Sequence, residues 1–171
     1  MIDSSTGNSF RRSFGASGIF NVSCCGLFND ISEMLVIDNA PLAADQNSSE
    51  YGTTICMKDQ TGPYDYHLNQ KLAEICARND IEFSRNVFKY YRSDSASVIE
   101  AGNDTQTALI GFGVDGSYGY ERVQIDSLVA TAHLLSLYIQ SPPTFLRDKT
   151  KIAMLDGFPH QLSRGEIEIK T

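Results

Sequence analysis

Apolar runs of strand length alternate with helix-period segments along most of this chain, and that alternation constrains the fold more than anything else in it. Met34–Asp38 (Met-Leu-Val-Ile-Asp) is a continuous apolar run ending on an acid, the pattern of a strand buried on both faces. Tyr51–Lys58 alternates β-branched with other residues and predicts a second strand. Asn86–Tyr91 and the compact run Thr107–Phe112 predict two more, and Ile19–Ser23 a short early one. Between them, Leu68, Leu72, Ile75 and Cys76 share one helical face in a segment that ends near Asn79-Asp80. Ser93 or Asp94 is placed to cap a short helix carrying Ala96 and Ile99, closed by Gly102-Asn103. A long helix is predicted over Ile125–Gln140. Leu128, Ala132, Leu135 and Ile139 line one side of it, and Pro142-Pro143 stops it. Strands alternating with helices through short connections predict an α/β layer structure with a largely parallel sheet.

A length of 171 residues suits one domain with a core of its own. Three segments are expected: a loose Ser/Gly/Asn-rich stretch over 1–17, an α/β domain over 18–143, and a charged, weakly patterned tail over 144–171. Asn39–Glu50 reads as a loop and Thr61-Gly62-Pro63 as a turn. The net charge of -7 argues against a nucleic-acid partner, which would need clustered Lys and Arg to neutralise phosphates. No apolar run reaches the length of a membrane span. The first residues lack the basic start and apolar core of a secretory signal, so a cytoplasmic location is expected.

Several local patterns invite a chemical reading. Gly111-Phe-Gly113-Val-Asp-Gly116 matches G-x-G-x-x-G after a predicted strand. A dinucleotide site needs a helix to open at once, so that its amides meet the pyrophosphate. Here Ser117-Tyr-Gly-Tyr follows and the helix waits until Ile125. The pattern therefore reads as a flexible loop at a strand's carboxyl end, still a place where α/β proteins build sites. Asp38, at the end of its own strand, is placed to bind a metal or orient a donor, or else to begin a turn. His67, His133 and His160 share no metal-ligand spacing. The adjacent Cys24-Cys25 have no basic neighbour to activate a thiol, and all four cysteines, Cys56 and Cys76 included, read as ordinary free thiols. Glu121-Arg122 is open to two readings, a surface pair or a pair facing a substrate terminus.

Longer matches add a resemblance. Ser32-Glu-Met-Leu-Val-Ile-Asp-Asn-Ala-Pro, Gln46-Asn-Ser-Ser-Glu-Tyr-Gly and Gly62-Pro-Tyr-Asp-Tyr-His-Leu come first. Tyr90-Tyr-Arg-Ser-Asp-Ser-Ala-Ser and Glu100-Ala-Gly-Asn-Asp follow, and Ser117-Tyr-Gly-Tyr-Glu-Arg leads on to Ile125-Asp-Ser-Leu. In this order and spacing they resemble the C-terminal part of cocatalytic metallo-aminopeptidases of the glutamyl and tetrahedral aminopeptidase type. The resemblance implies a three-layer α/β/α sandwich with a mixed, largely parallel sheet, here truncated at its N-terminus. It also implies two divalent metals, zinc or cobalt, and a peptide substrate. Such a centre uses a histidine, a bridging aspartate, a base glutamate followed by a ligand glutamate, an aspartate and a final histidine.

Carried over position by position, most of that set is absent. The first histidine and bridging aspartate fall upstream of the matching region. Cys24 and Cys25 stand where the glutamate pair is expected, and Tyr118 where the final histidine is expected. Asp38 matches the later aspartate ligand, while Asp94 and Glu121 fall at positions that line the pocket. The expectation is an aminopeptidase-like hydrolase domain that is inactive as an isolated chain. The alternative is a noncatalytic pseudoenzyme or assembly subunit that binds a homologous full-length peptidase or further copies of itself.

Overall fold

The computed structural model describes residues 31–116 and 119–145, which form a six-stranded mixed sheet with helices packed on it. In chain order the elements are β1 (Glu33–Pro41), β2 (Thr53–Asp59), β3 (Gly62–Pro63) and α1 (Tyr66–Arg78). They continue with β4 (Phe83–Val87), α2 (Ser95–Glu100), β5 (Gln106–Asp115), β6 (Arg122–Val123) and α3 (Ile125–Gln140). The two longest ladders, β1 with β5 and β2 with β4, are parallel. β2 runs antiparallel to β5 and joins the two halves, while β3 and β6 are short antiparallel additions. The predicted strand Ile19–Ser23 lies outside the described residues, as do the segment 1–17 and most of 144–171.

Alternation along the strands divides the core into two layers. Ile55, Ala108 and Ile110 point to the face covered by α1 and α3, where they meet Leu68, Leu72, Cys76, Leu134 and Tyr138. Their sequence neighbours Cys56 and Leu109 point the other way, with Val36 and Ala40, toward Tyr64 and Phe88. A period of two in the strands places successive side chains on opposite faces, so both layers come from the same short runs. On the second face, the Tyr64 hydroxyl is hydrogen-bonded to Ser93 at 2.6 Å, and Ser93 to Ser95 at 2.6 Å, which fixes the start of α2 on that side.

The helices follow their local signals. Asp65 caps α1, its carboxylate accepting from the Leu68 amide at 2.8 Å. Gly102, at φ +80°, sits just past α2. Three expectations need correction. The strand expected over Asn86–Tyr91 runs instead over Phe83–Val87. Its partner β2 shifts register between Cys56 and Lys58, the ladder closes at Lys58 with Val87, and Tyr90 beyond it is exposed. Asp94 flanks α2 with helical backbone angles and makes no side-chain cap bond; the Ala96 amide donates instead to the Ser93 carbonyl and the Ser97 amide to the Asp94 carbonyl.

The third correction concerns α3. Its bounds are as expected, but its buried residues are Ser127, Thr131, Leu134 and Tyr138, one position away from the predicted stripe. Ser127 accepts from the Gly113 amide at 2.8 Å and donates to the Gly52 carbonyl at 2.7 Å. Thr131 donates to Thr53 at 3.1 Å. Polar side chains that saturate strand backbone thus take the inner face, and the apolar stripe turns outward.

Close backbone approach also explains the glycines of the G-x-G-x-x-G pattern. Gly111 and Gly113 lie within β5, not in a flexible loop, and only Gly116, at φ +82°, makes the turn. A Cβ on Gly113 would sit 2.3 Å from the Ser49 carbonyl oxygen, and one on Gly111 would sit 2.8 Å from that of Asp38. Gly52 is equally tight, 2.3 Å from the Glu82 carbonyl oxygen. Gly52→Ala is therefore expected to lower stability by about 2–3 kcal/mol in chemical denaturation, since backbone rather than a movable side chain must yield.

Candidate active site

Strand β1 carries Asp38 toward its carboxyl end, on the side of Val36 and Ala40 and therefore on the second face. Asp38 is exposed, and its carboxylate accepts from the Asn39 amide at 2.7 Å. Across that face, Asp94 stands at the start of α2. Its carboxyl is held above the ordinary carboxylate range, first by burial and then by the negative charge of Asp38. Two carboxylates 56 positions apart in sequence are thereby brought into electrostatic contact.

The Asp94 position is set by a buried residue that the sequence reading missed. Asp59 is 1% exposed. Its carboxylate accepts from the Thr61 amide at 2.8 Å, the Thr61 hydroxyl, the Tyr64 hydroxyl at 2.7 Å and the Ser93 amide at 3.0 Å. Burial alone would raise its pKa. The bonds from Thr61, Ser93 and Tyr64 outweigh that and hold the carboxyl below its usual value. Burial drives the Tyr64 hydroxyl well upward, so it remains a neutral donor. Asp59 thus closes the β2–β3 hairpin and pins the residue before Asp94 in one step. The one available signal was a turn composition, Asp59-Gln-Thr-Gly-Pro, which predicts a bend but not a buried carboxylate.

The other expected positions lie elsewhere. Glu121 is exposed in the segment between β5 and β6. Its neighbour Arg122 pairs with Asp115 at 2.7 Å, across the β5–β6 ladder. Tyr118, Cys24, Cys25 and His160 lie outside the described residues. His67 and His133 are on exposed surfaces of α1 and α3, His67 with its ring between those of Tyr66 and Phe145. Cys56 and Cys76 are buried free thiols, pushed up to about 12 by burial. A hollow of about 350 Å³ is lined by Gln60, Thr61, Arg92, Ala96, Ile99 and Glu100, beside α2 rather than at Asp38.

Among the described residues, no group of three or more His, Cys, Asp or Glu is arranged to hold a metal ion. Asp38 and Asp94 supply two carboxylates and no nitrogen donor. A pair of metal ions needs several protein ligands each, so this donor set does not fit a two-metal centre.

The comparisons agree with the geometry on ancestry. Residues 25–134 match the M42 glutamyl aminopeptidase family. Over 110 residues the chain is 38% identical to the Bacillus subtilis (strain 168) protein named "Putative aminopeptidase YhfE", a match covering 64% of this chain and 32% of that one. The chain thus spans about a third of the length of that relative. Among solved structures, the TET1 peptidase of Pyrococcus horikoshii aligns with TM-score 0.62 at 16% identity, over 73% of this chain and 37% of the other. Aminopeptidase APDkam598 of the archaeon Desulfurococcus kamchatkensis aligns with TM-score 0.62 at 13% identity, over 75% and 38%. At such identities these structures speak for the fold, which is the α/β architecture described above. With its mixed sheet and a family match over residues 25–134, the chain belongs to the M42 glutamyl aminopeptidase family.

Proposed function

We propose that this chain is an aminopeptidase-like domain that does not assemble a two-metal peptidase centre from its own residues, and that it is catalytically silent alone. This reading is supported by the donor set: among the described residues no group of three or more His, Cys, Asp or Glu could hold a metal ion, and the charged neighbour felt by Asp94 is Asp38, another carboxylate. Asp38 is the retained ligand position. Cys24, Cys25 and Tyr118 occupy the positions of the base, its neighbouring ligand and the final histidine. Replacing a base glutamate by a thiol removes the group that would take a proton from metal-bound water. Asp94 and Glu121 are read as lining the substrate pocket, and a peptide remains the substrate class through family membership. Zinc or cobalt are the metals that a complete centre would use, in a cytoplasmic setting.

A second reading has one observation behind it. The match covers 32% of the curated relative, and in this reading the remaining ligands of a working centre come from a partner polypeptide. The assemblies named for the Pyrococcus horikoshii TET1 peptidase, a tetrahedron or a large octahedral shell, favour an oligomeric setting for either reading.

The test is hydrolysis of an aminoacyl anilide by the purified chain with added zinc or cobalt, alongside metal analysis. No turnover above the metal-only control and less than one equivalent of tightly held metal are expected. Turnover that Asp38→Ala abolishes would show the silent reading to be wrong.

A further inference from the structure

The hollow beside α2 has the form of a small binding site. Its volume of about 350 Å³ falls within the range of small-molecule sites, about 300–1,000 Å³. One wall is the turn between β2 and β3, with Gln60 and Thr61. The other is α2 and the residues before it, with Arg92, Ala96, Ile99 and Glu100. Ala96 is fully buried and Ile99 half-exposed, which gives the hollow an apolar side. Arg92 and Glu100 bring one charge of each sign, and Arg92 Nη2 pairs with Glu100 Oε2.

Both walls are held from behind. The buried Asp59 carboxylate accepts from the Thr61 amide at 2.8 Å on the turn side, and from the Ser93 amide at 3.0 Å next to Arg92. The Gln60 amide donates to the Tyr91 carbonyl at 2.9 Å, a second tie across the same gap. The width of the hollow is thus fixed before a ligand arrives, and a preformed site loses less affinity to its own ordering. The Arg92–Glu100 pair is the soft part. Both side chains are about half exposed, and such pairs add little to stability and exchange readily for other partners.

These charges select the ligand. A lone anion on Arg92 would meet the carboxylate of Glu100, and a lone cation on Glu100 would meet the guanidinium of Arg92. A zwitterion with equally close charges lies against the pair head to tail. Its ammonium then sits on Glu100 and its carboxylate on Arg92, whose planar guanidinium can hold a carboxylate by two parallel bonds. An α-amino acid has this spacing, because a single carbon separates its charged groups. Each further residue between the termini moves them apart by up to about 3.3–3.6 Å, so even a dipeptide matches less well. Ala96 and Ile99 offer apolar contact to the side chain.

We propose that this hollow binds a free α-amino acid with an apolar side chain, through Arg92 and Glu100. Charge spacing alone selects the ligand, whether or not the chain hydrolyses peptides.

The test is titration of the isotope-labelled full chain with L-leucine, followed by amide NMR. Saturable shifts are expected at Gln60, Thr61 and Ile99. N-acetyl-leucine lacks the ammonium, leucinamide lacks the carboxylate, and leucyl-leucine separates the two charges. Each should bind at least about tenfold more weakly than leucine, the effect of losing one charge-assisted contact. Arg92→Gln and Glu100→Gln should each weaken leucine binding by at least about tenfold, while the melting temperature stays unchanged because the pair is half exposed. No saturation with leucine, equal binding of the capped or extended analogues, or shifts gathered away from the hollow would overturn the proposal. Full leucine affinity in either variant would overturn it as well. Turnover of an aminoacyl anilide by the chain would instead sink the silent reading and leave this site standing.

Discussion

Asp59→Ala is expected to destabilise the fold by about 3–5 kcal/mol in urea or guanidinium denaturation, enough to remove much of the stability of a domain this size. Truncation leaves the Thr61 and Ser93 amides without their acceptor, in a place where Asp59 itself is almost wholly buried. Each buried donor left unmade costs about 1–3 kcal/mol. The Tyr64 hydroxyl keeps its bond to Ser93, which limits the loss. The same residue sets a pH dependence. Its folded-state pKa lies below the unfolded value, so its contribution is fully present above the unfolded pKa of about 4 and fades as pH falls through the folded value. In Asp59→Asn this acid-side slope should disappear from the stability profile. If Asp59→Ala unfolds at the wild-type midpoint, the carboxylate is not what ties the hairpin to α2.

The effect reaches beyond stability because Asp59 positions Ser93, and Ser93 precedes Asp94. Loosening that tie should let Asp94 relax away from Asp38, and the Asp94 carboxyl should titrate closer to its ordinary value. Carbon-detected NMR of the side-chain carboxyls would report this directly, provided the milder Asp59→Asn variant is used to keep the chain folded.

How far the sequence could have led to this arrangement differs from element to element. β1, α1, β5 and α3 were legible from sustained signals: a continuous apolar run, an apolar helical face, a compact β run, and a proline stop after Gln140. β4 was misplaced because Val87-Phe88 and the tyrosines after it look like strand, whereas pairing with β2 closes at Val87. Only the resemblance put Asp38 and Asp94 at one centre; local pattern did not, for a different reason. Their nearness depends on Asp59, 34 residues from Ser93, accepting backbone and hydroxyl donors in a buried setting, and no local pattern announces such a node. Gly111 and Gly113 looked like a phosphate-binding pattern, yet their requirement is steric contact between strand and loop backbone.

Ser127→Ala is expected to cost about 2–4 kcal/mol, a large effect for removing one oxygen from a helix where alanine is the better former. The propensity gain, at most about 0.7 kcal/mol, is too small to offset it. Ser127 is fully buried and bridges two strands, accepting from Gly113 of β5 and donating to the carbonyl of Gly52 just before β2. Both backbone groups lose their partner together, in a spot with no room for compensating movement because Gly52 and Gly113 are each pressed against neighbouring backbone. Leu128→Ala, one position along, supplies the contrast. The sequence pattern makes Leu128 the core residue and Ser127 the surface one, which would give the leucine change the larger penalty. The structure reverses the order: Leu128 is 39% exposed, so its truncation in the isolated chain should cost under about 1 kcal/mol. Denaturation midpoints of the two variants side by side therefore decide which face of α3 is anchored. A larger loss for Leu128→Ala than for Ser127→Ala would place the apolar stripe against the sheet, and would remove the polar anchoring of α3.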